Sequence, residues 1–203
     1  MRLGVTAGDV ITGAARALLR VMREKDRHTC DHMLEVQQVA LAMGRLLGLE
    51  SESMEVLDYA ALLHDIGKVS VPTEILCKPA RLSEIEWGII CLHPQTGAEI
   101  LGEIPFPNGV PEIVLQHHER CDGSGYPNGL LGNEILPEAR ILMVADVYCA
   151  MSEDRPYRSA RPTERIAEEF GVNRAVLYDP DVVDALLEIK PEIRGTKVYS
   201  PAW

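Results

Sequence analysis

The sequence predicts a mostly α-helical single domain, and three observations carry that reading. Apolar residues recur at three- and four-residue spacing along most of the 203-residue chain, the period of a helix with one buried face. No stretch alternates convincingly with period two, so no strand is expected. Aromatic residues make up only 5% of a chain that is 46% hydrophobic. The core must therefore rest on Leu, Ile, Val, Ala and Met, which suits packed helices, and a chain of this length can bury a substantial core.

Taken in order, Val10, Ala14, Leu18 and Met22 stand four apart and predict an amphipathic first helix. A second helix carries His32, Val36, Ala40 and Met43. A third runs from about Glu52 to Ile66 and delivers the run HDIGK at its end, with Pro72 closing the exit. Ser83 followed by Glu86 reads as a capping box, opening a helix through Trp87 and Ile90 toward His93. Residues 120–134, RCDGSGYPNGLLGNE, resist periodicity and hold Gly123, Gly125, Gly129 and Gly132. A long glycine-rich loop in a compact helical domain is usually functional or mobile. No Gly-Lys-Ser/Thr follows, so it is not a P-loop, and without a preceding strand it is not a dinucleotide fingerprint. Pro111 fits the first turn of the helix that bears His117 and His118. The apolar run ILMVADVYCAM predicts a helix buried on most sides, and Asp179-Pro180 opens a last helix through Val183 and Leu187.

Lys plus Arg number 20 and Asp plus Glu 31, a net charge of −11. That balance argues against broad nucleic-acid binding, which needs basic surface to replace phosphate counterions. A small phosphorylated ligand remains compatible if metal ions and a few Lys or Arg supply local positive charge. The five cysteines, at 30, 77, 91, 121 and 149, form no CxxC pair, and their odd number fits a reducing compartment. No apolar run is long enough to span a bilayer, and Asp9, Arg16 and Arg20 interrupt any signal-peptide core. The expected location is cytoplasmic.

The chemistry lies in six histidines and two aspartates. HDIGK places His64, Asp65 and Lys68 on one side of a helix end. Imidazole is a neutral nitrogen ligand, a carboxylate can bridge two ions, and the lysine can meet a phosphate oxygen held there. Asp146 is the lone carboxylate in its apolar run. Burying it unpaired would cost several kcal/mol or a large pKa rise, which metal ligation removes; pairing with Arg140 is the plainer alternative. His28 and His32 stand one turn apart, although Asp26, Arg27 and Asp31 suggest that His28 is exposed. His93-Pro94 and His117-His118 taken singly read equally well as polar helix ends. Together these residues point to a metal-dependent hydrolase with more than one ion.

The arrangement His32, His64-Asp65, Lys68, His93, His117-His118, Asp146 resembles the HD-GYP family of HD-domain phosphohydrolases. HHERCDGSGYPNGL at 117–130 is the most specific part of the match. DVYCAMSEDRPYR at 146–158 and HPQTGAEIL at 93–101 support it. The resemblance divides the chain into an N-terminal helix packing on the domain (1–25), the HD-GYP domain (26–190) and a C-terminal tail (191–203). It implies an all-α HD-domain bundle with a metal centre in its core and a glycine-rich GYP loop. The implied activity is bacterial second-messenger signalling by hydrolysis of cyclic di-GMP to linear pGpG or GMP, through in-line attack of a metal-bridging hydroxide. By the same resemblance His32, His64, Asp65, His93, His117, His118 and Asp146 hold two divalent ions. Iron or manganese is favoured, with zinc and nickel as alternatives.

Asp65 and Lys68 are the implied catalytic pair, and Lys68, Tyr126, Arg155 and Arg158 the substrate contacts. His28 stands where some members carry a third-metal ligand. Glu35, Cys121 and Cys149 depart from the family pattern without removing a core ligand; Cys149 leaves a hydrogen bond behind the metal ligands in question. A second reading keeps the fold and drops the turnover. It is a module that holds metal and cyclic dinucleotide and signals through a GGDEF-type protein at the GYP loop. A homodimer is compatible with either reading.

Overall fold

The structure, a computed structural model, describes residues 6–153 and 160–193. Ten helices account for most of these: α1 (Ala7–Lys25), α2 (Arg27–Leu46), α3 (Ser51–Leu63), α4 (Thr73–Leu76), α5 (Glu84–Ile90), α6 (His93–Gly102), α7 (Val110–Gln116), α8 (Pro137–Ser152), α9 (Thr163–Asn173) and α10 (Pro180–Ile193). Short 3-10 turns occupy Ile66–Ser70 and Gly132–Glu134. Extended pairing among the described residues is limited to two isolated bridges, Asp122 with Leu131 and Arg174 with Tyr178. The expected all-α class is what the chain adopts.

The centre of the molecule is α8. Ile141, Leu142, Val144, Ala145, Tyr148 and Cys149 are all buried, so this helix is covered around its circumference. Against it lies α2, whose buried stripe is Met33, Val36, Val39, Ala40 and Met43 with His32 on the same face. Next to α2 packs α3, through Val56, Leu57, Ala60 and Ala61. At one end Phe170 of α9 meets Tyr178, ring centroids 5.0 Å apart.

Three boundaries differ from the sequence reading. The buried face of α1 is Ala15, Leu19 and Met22, with Ile11 and Leu18 half-buried, whereas Val10 is 56% exposed. Strict four-residue steps drift around a helix of 3.6 residues per turn, so the true stripe mixes threes and fours. HDIGK does not lie on a helix: α3 stops at Leu63, His64 and Asp65 form a turn, and Ile66 begins the 3-10 segment. Gly67 explains that tight path, because a Cβ there would collide with the His93 carbonyl. His117 and His118 likewise follow the end of α7 rather than riding on it. The capping box of α5 forms as read. Glu86 N donates to Ser83 Oγ (3.3 Å) and Ser83 N donates to Glu86 Oε2 (2.7 Å).

Candidate metal centre

Three helix junctions and two mid-helix positions converge. The junctions are the end of α3 (His64, Asp65), the α5–α6 corner (His93) and the end of α7 (His117, His118); α2 brings His32 and α8 brings Asp146. The junction histidines share one local device. His64 Nδ1 lies 2.9 Å from the Ala61 carbonyl, His93 Nδ1 2.7 Å from that of Ile90, and His117 Nδ1 2.6 Å from that of Val114. The last carbonyls of a helix lack intrahelical partners. Each ring satisfies one by donating from Nδ1, and this leaves Nε2 as a bare lone pair turned inward.

The inward atoms fall into two groups that share Asp65. One is His32, His64 and Asp65; the other is Asp65, His93, His117 and His118, with donor atoms in each group within 4.8 Å of one another. Asp65 Oδ2 is 3.4 Å from His64 Nε2, and Asp65 Oδ1 is 3.2 Å from His93 Nε2. Asp146 joins the groups from the side, Oδ1 at 2.9 Å from His32 Nε2 and Oδ2 at 3.7 Å from His118 Nδ1. Lys68 Nζ donates to Asp65 Oδ2 at 2.7 Å.

The donors fit a cation. His64 Nε2 and Asp65 Oδ1 are buried without a hydrogen-bond partner, a costly state for polar atoms unless something charged lies between them. His93 Nε2 and His117 Nε2 face each other at 3.2 Å. With both Nδ1 atoms occupied by carbonyls, those two lone pairs repel until a cation or proton sits between them. Two donor groups joined by one carboxylate match a pair of ions sharing a bridging ligand.

Protonation supports the same fit. Burial, reinforced by neighbouring histidines, holds His117 well below the ordinary imidazole range, and burial takes His118 down to about 3. Both are neutral donors near pH 7. Burial disfavours charge on Asp65, but the Lys68 ammonium beside it outweighs this and holds the carboxyl well below its usual range. Asp146 is held low against burial by its hydrogen bond from His32. For His32 burial again opposes charge, while hydrogen bonds to Asp146 and Glu153 lift it to about 9. His32 Nε2 lies 2.9 Å from Asp146 Oδ1, and the two atoms would share a cation.

Two site residues escaped the sequence reading. Glu153 Oε1 accepts from His32 Nδ1 at 3.0 Å, doing for His32 what backbone carbonyls do for the others. It follows Asp146 by two helical turns, on the same side of α8, and its spacing within DVYCAMSEDRPYR was the available signal. Glu119 is fully buried and accepts from the backbone of Asn128 (2.6 Å) and Leu130 (3.0 Å), tying the glycine-rich loop to the histidine doublet. The loop then lays Tyr126 over His118, ring centroids 4.8 Å apart and 31° from parallel.

Two of the departures from the family pattern, Glu35 and Cys149, do not line the cavity, and Glu35 lies beside Glu153. Cys149 is buried, and burial pushes its thiol up. His28 stands apart from both donor groups, its side chain 47% exposed and its Nε2 3.7 Å from Glu153 Oε2. Arg155 and Arg158 fall outside the described residues. The donors open into a cavity of about 480 Å³, lined also by Lys68, Lys78, Trp87 and Tyr126. Among the described residues no helix is long and apolar enough to cross a membrane.

The chain is similar to several known proteins. The HD domain family profile matches residues 15–182. The cyclic di-GMP phosphodiesterase response regulator RpfG of Xanthomonas campestris is 38% identical over 178 residues, 87% of this chain and 47% of that protein. The 3'3'-cGAMP-specific phosphodiesterase 2 of Vibrio cholerae is 35% identical over 186 residues, 91% of this chain and 36% of that protein. The chain thus spans less than half the length of these curated relatives. Among solved structures, Bd1817, an HDG"Y"P protein from Bdellovibrio bacteriovorus, superposes with a TM-score of 0.66 at 23% identity, covering 91% of this chain and 61% of that one. With the paired donor groups in its core and the GYP loop folded over them, the chain belongs to the HD domain family, in its HD-GYP branch.

Proposed function

We propose that the chain is a metal-dependent phosphodiesterase that opens a cyclic dinucleotide, cyclic di-GMP first, to linear pGpG or GMP. One observation carries the reading: two groups of inward-facing donors share Asp65, with His64 Nε2 and Asp65 Oδ1 buried and partnerless, beside a cavity large enough for part of a dinucleotide. The names of the relatives, phosphodiesterases for cyclic di-GMP and 3'3'-cGAMP, supply the substrate class.

His32, His64, Asp65, His93, His117, His118 and Asp146 would hold two divalent ions, iron or manganese. Bound there, such ions acidify water and screen phosphate charge. The chain's own residues do the rest. Lys68, bonded to Asp65 and partly exposed to the cavity, offers Nζ to a phosphate oxygen, where charge builds during in-line displacement. Tyr126 closes the wall above His118 and keeps bulk water from that side. Arg155 and Arg158 are proposed phosphate contacts. For a third ion, His28 and the buried Oε2 of Glu153 supply the donors.

The test is Asp65→Asn, which removes the shared ligand while keeping its size. Metal content by elemental analysis is expected to fall to near zero, and cyclic di-GMP turnover with it. Turnover at the parental rate would rule out the mechanism. In the same analysis His28→Ala loses one ion per chain if the third position is filled and none if it is not.

A further inference from the structure

The cavity has two unlike ends. One is the polar donor cluster. The other is an apolar wall from α4 and α5, made by Ile75, Leu76, Trp87 and Ile90. A phosphate held at the donors has no use for that wall, and a purine base attached to it through ribose does.

Trp87 is the distinctive member. The residue is 52% exposed although it lines a cavity whose wall is apolar, so a large aromatic side chain is left in contact with water. It is also held in place. The Ser83–Glu86 capping box sets the start of α5, and Glu86 binds Lys78 Nζ through both oxygens at 2.7 Å, tying the 77–83 loop to the helix. The indole meets Tyr126 at 6.4 Å and 78°, a near-perpendicular contact that steadies the ring without stacking on it. Tyr126 is itself held by His118 beneath it, ring centroids 4.8 Å apart. A chain of packed rings thus runs from a proposed metal ligand to Trp87, and it sets the indole at a fixed distance from the reacting phosphate.

Resting on the phosphodiesterase reading, we infer that Trp87 is the stacking platform for one purine base of the cyclic dinucleotide. Stacking reads the face of a base and not its hydrogen-bonding edge, and is therefore tolerant of base identity. Trp87 sets affinity for the purine class without choosing between guanine and adenine.

The experiment compares the metal-loaded parent with Trp87→Ala and Trp87→Phe on cyclic di-GMP and 3'3'-cGAMP. The alanine variant is expected to raise KM about 5- to 150-fold, alike for both substrates, with kcat within about twofold. Phenylalanine is expected to restore most of the KM. An unchanged KM in Trp87→Ala, or a loss confined to kcat, overturns the inference. A binding arm separates its failure from that of the proposed activity. In a Trp203→Phe background only Trp87 emits, and GMP is expected to quench that emission. If the parent hydrolyses no cyclic dinucleotide, the proposed activity falls while quenching still supports a purine subsite; absence of quenching overturns the subsite whatever the turnover.

Discussion

Glu35 and Glu153 bring two carboxyl groups together behind His32. Burial and the neighbouring Glu153 carboxyl lift Glu35 to about 7, above its ordinary 4.5. The sign follows directly. The contribution of Glu35 to stability is complete below about pH 4.5 and is lost as pH rises through about 7, because the folded state must then release a proton it holds. Glu35→Gln mimics the protonated form. It is expected to be more stable than the parent at pH 8, by about 1 kcal/mol once solvent screening of this half-buried group is allowed for, and level with it at pH 5. Urea melts at the two pH values check this; the same difference at both would show that packing and not titration is responsible. By sequence Glu35 stands out only as a departure from the family pattern. The fold turns it away from the cavity, a rotation about α2 that residue type alone does not reveal.

Among the elements, those with local chemistry were readable. The capping box of α5 and the proline in the first turn of α7 involve residues three apart or fewer, and both form. Helix ends at the site were not readable, because the histidines end their own helices by taking a carbonyl that another turn would have used. Helix α9 was missed for a different reason: only Ile166 and Phe170 of its eleven residues are buried, too few to make a pattern. The glycine-rich loop was recognised as unusual, but its anchor, Glu119, was not. Gly125 lies against that anchor, and a Cβ there would collide with Arg120 N and Glu119 Cα. Gly125→Ala is expected to destabilise by about 1–3 kcal/mol. Gly13→Ala, in the open middle of α1 with nothing within 4 Å, is expected to stabilise by about 0.5–1 kcal/mol. Denaturation of the two variants side by side checks both, and equal effects would contradict the loop geometry.

At the scale of the whole molecule, five helical elements aim donors at one point, and two of those donor atoms, His64 Nε2 and Asp65 Oδ1, are buried without a partner. Bound metal should then act as part of the core. Saturation at a thousand times Kd stabilises by about 4 kcal/mol, which for a domain near this size corresponds to a shift in Tm of about 8–16 °C. Chelation followed by calorimetry should lower Tm by that amount and added manganese should restore it, while Asp65→Asn should melt alike with and without chelator. A parent insensitive to chelation would mean the donors are satisfied without an ion. The sequence could nominate these residues through the family motifs. The same resemblance implied Asp65 as the ligand shared by two ions; the distances that place it between His64 and His93 depend on how α3, α6 and α7 meet in space.

The backbone carbonyls behind His64, His93 and His117 bear on how the site tolerates mutation. Every residue type brings a carbonyl, so substitutions at Ala61, Ile90 and Val114 can change size or polarity without removing the group that orients each ring. Those three ligands carry an orienting partner that point mutation cannot delete. His32 has no such insurance: its Nδ1 partner is the side chain of Glu153, and a single base change there removes that partner and leaves only the contact with Asp146. Damage from random mutation should therefore concentrate on the His32–Glu153 arm, making it the first part of the centre to fail as the sequence drifts.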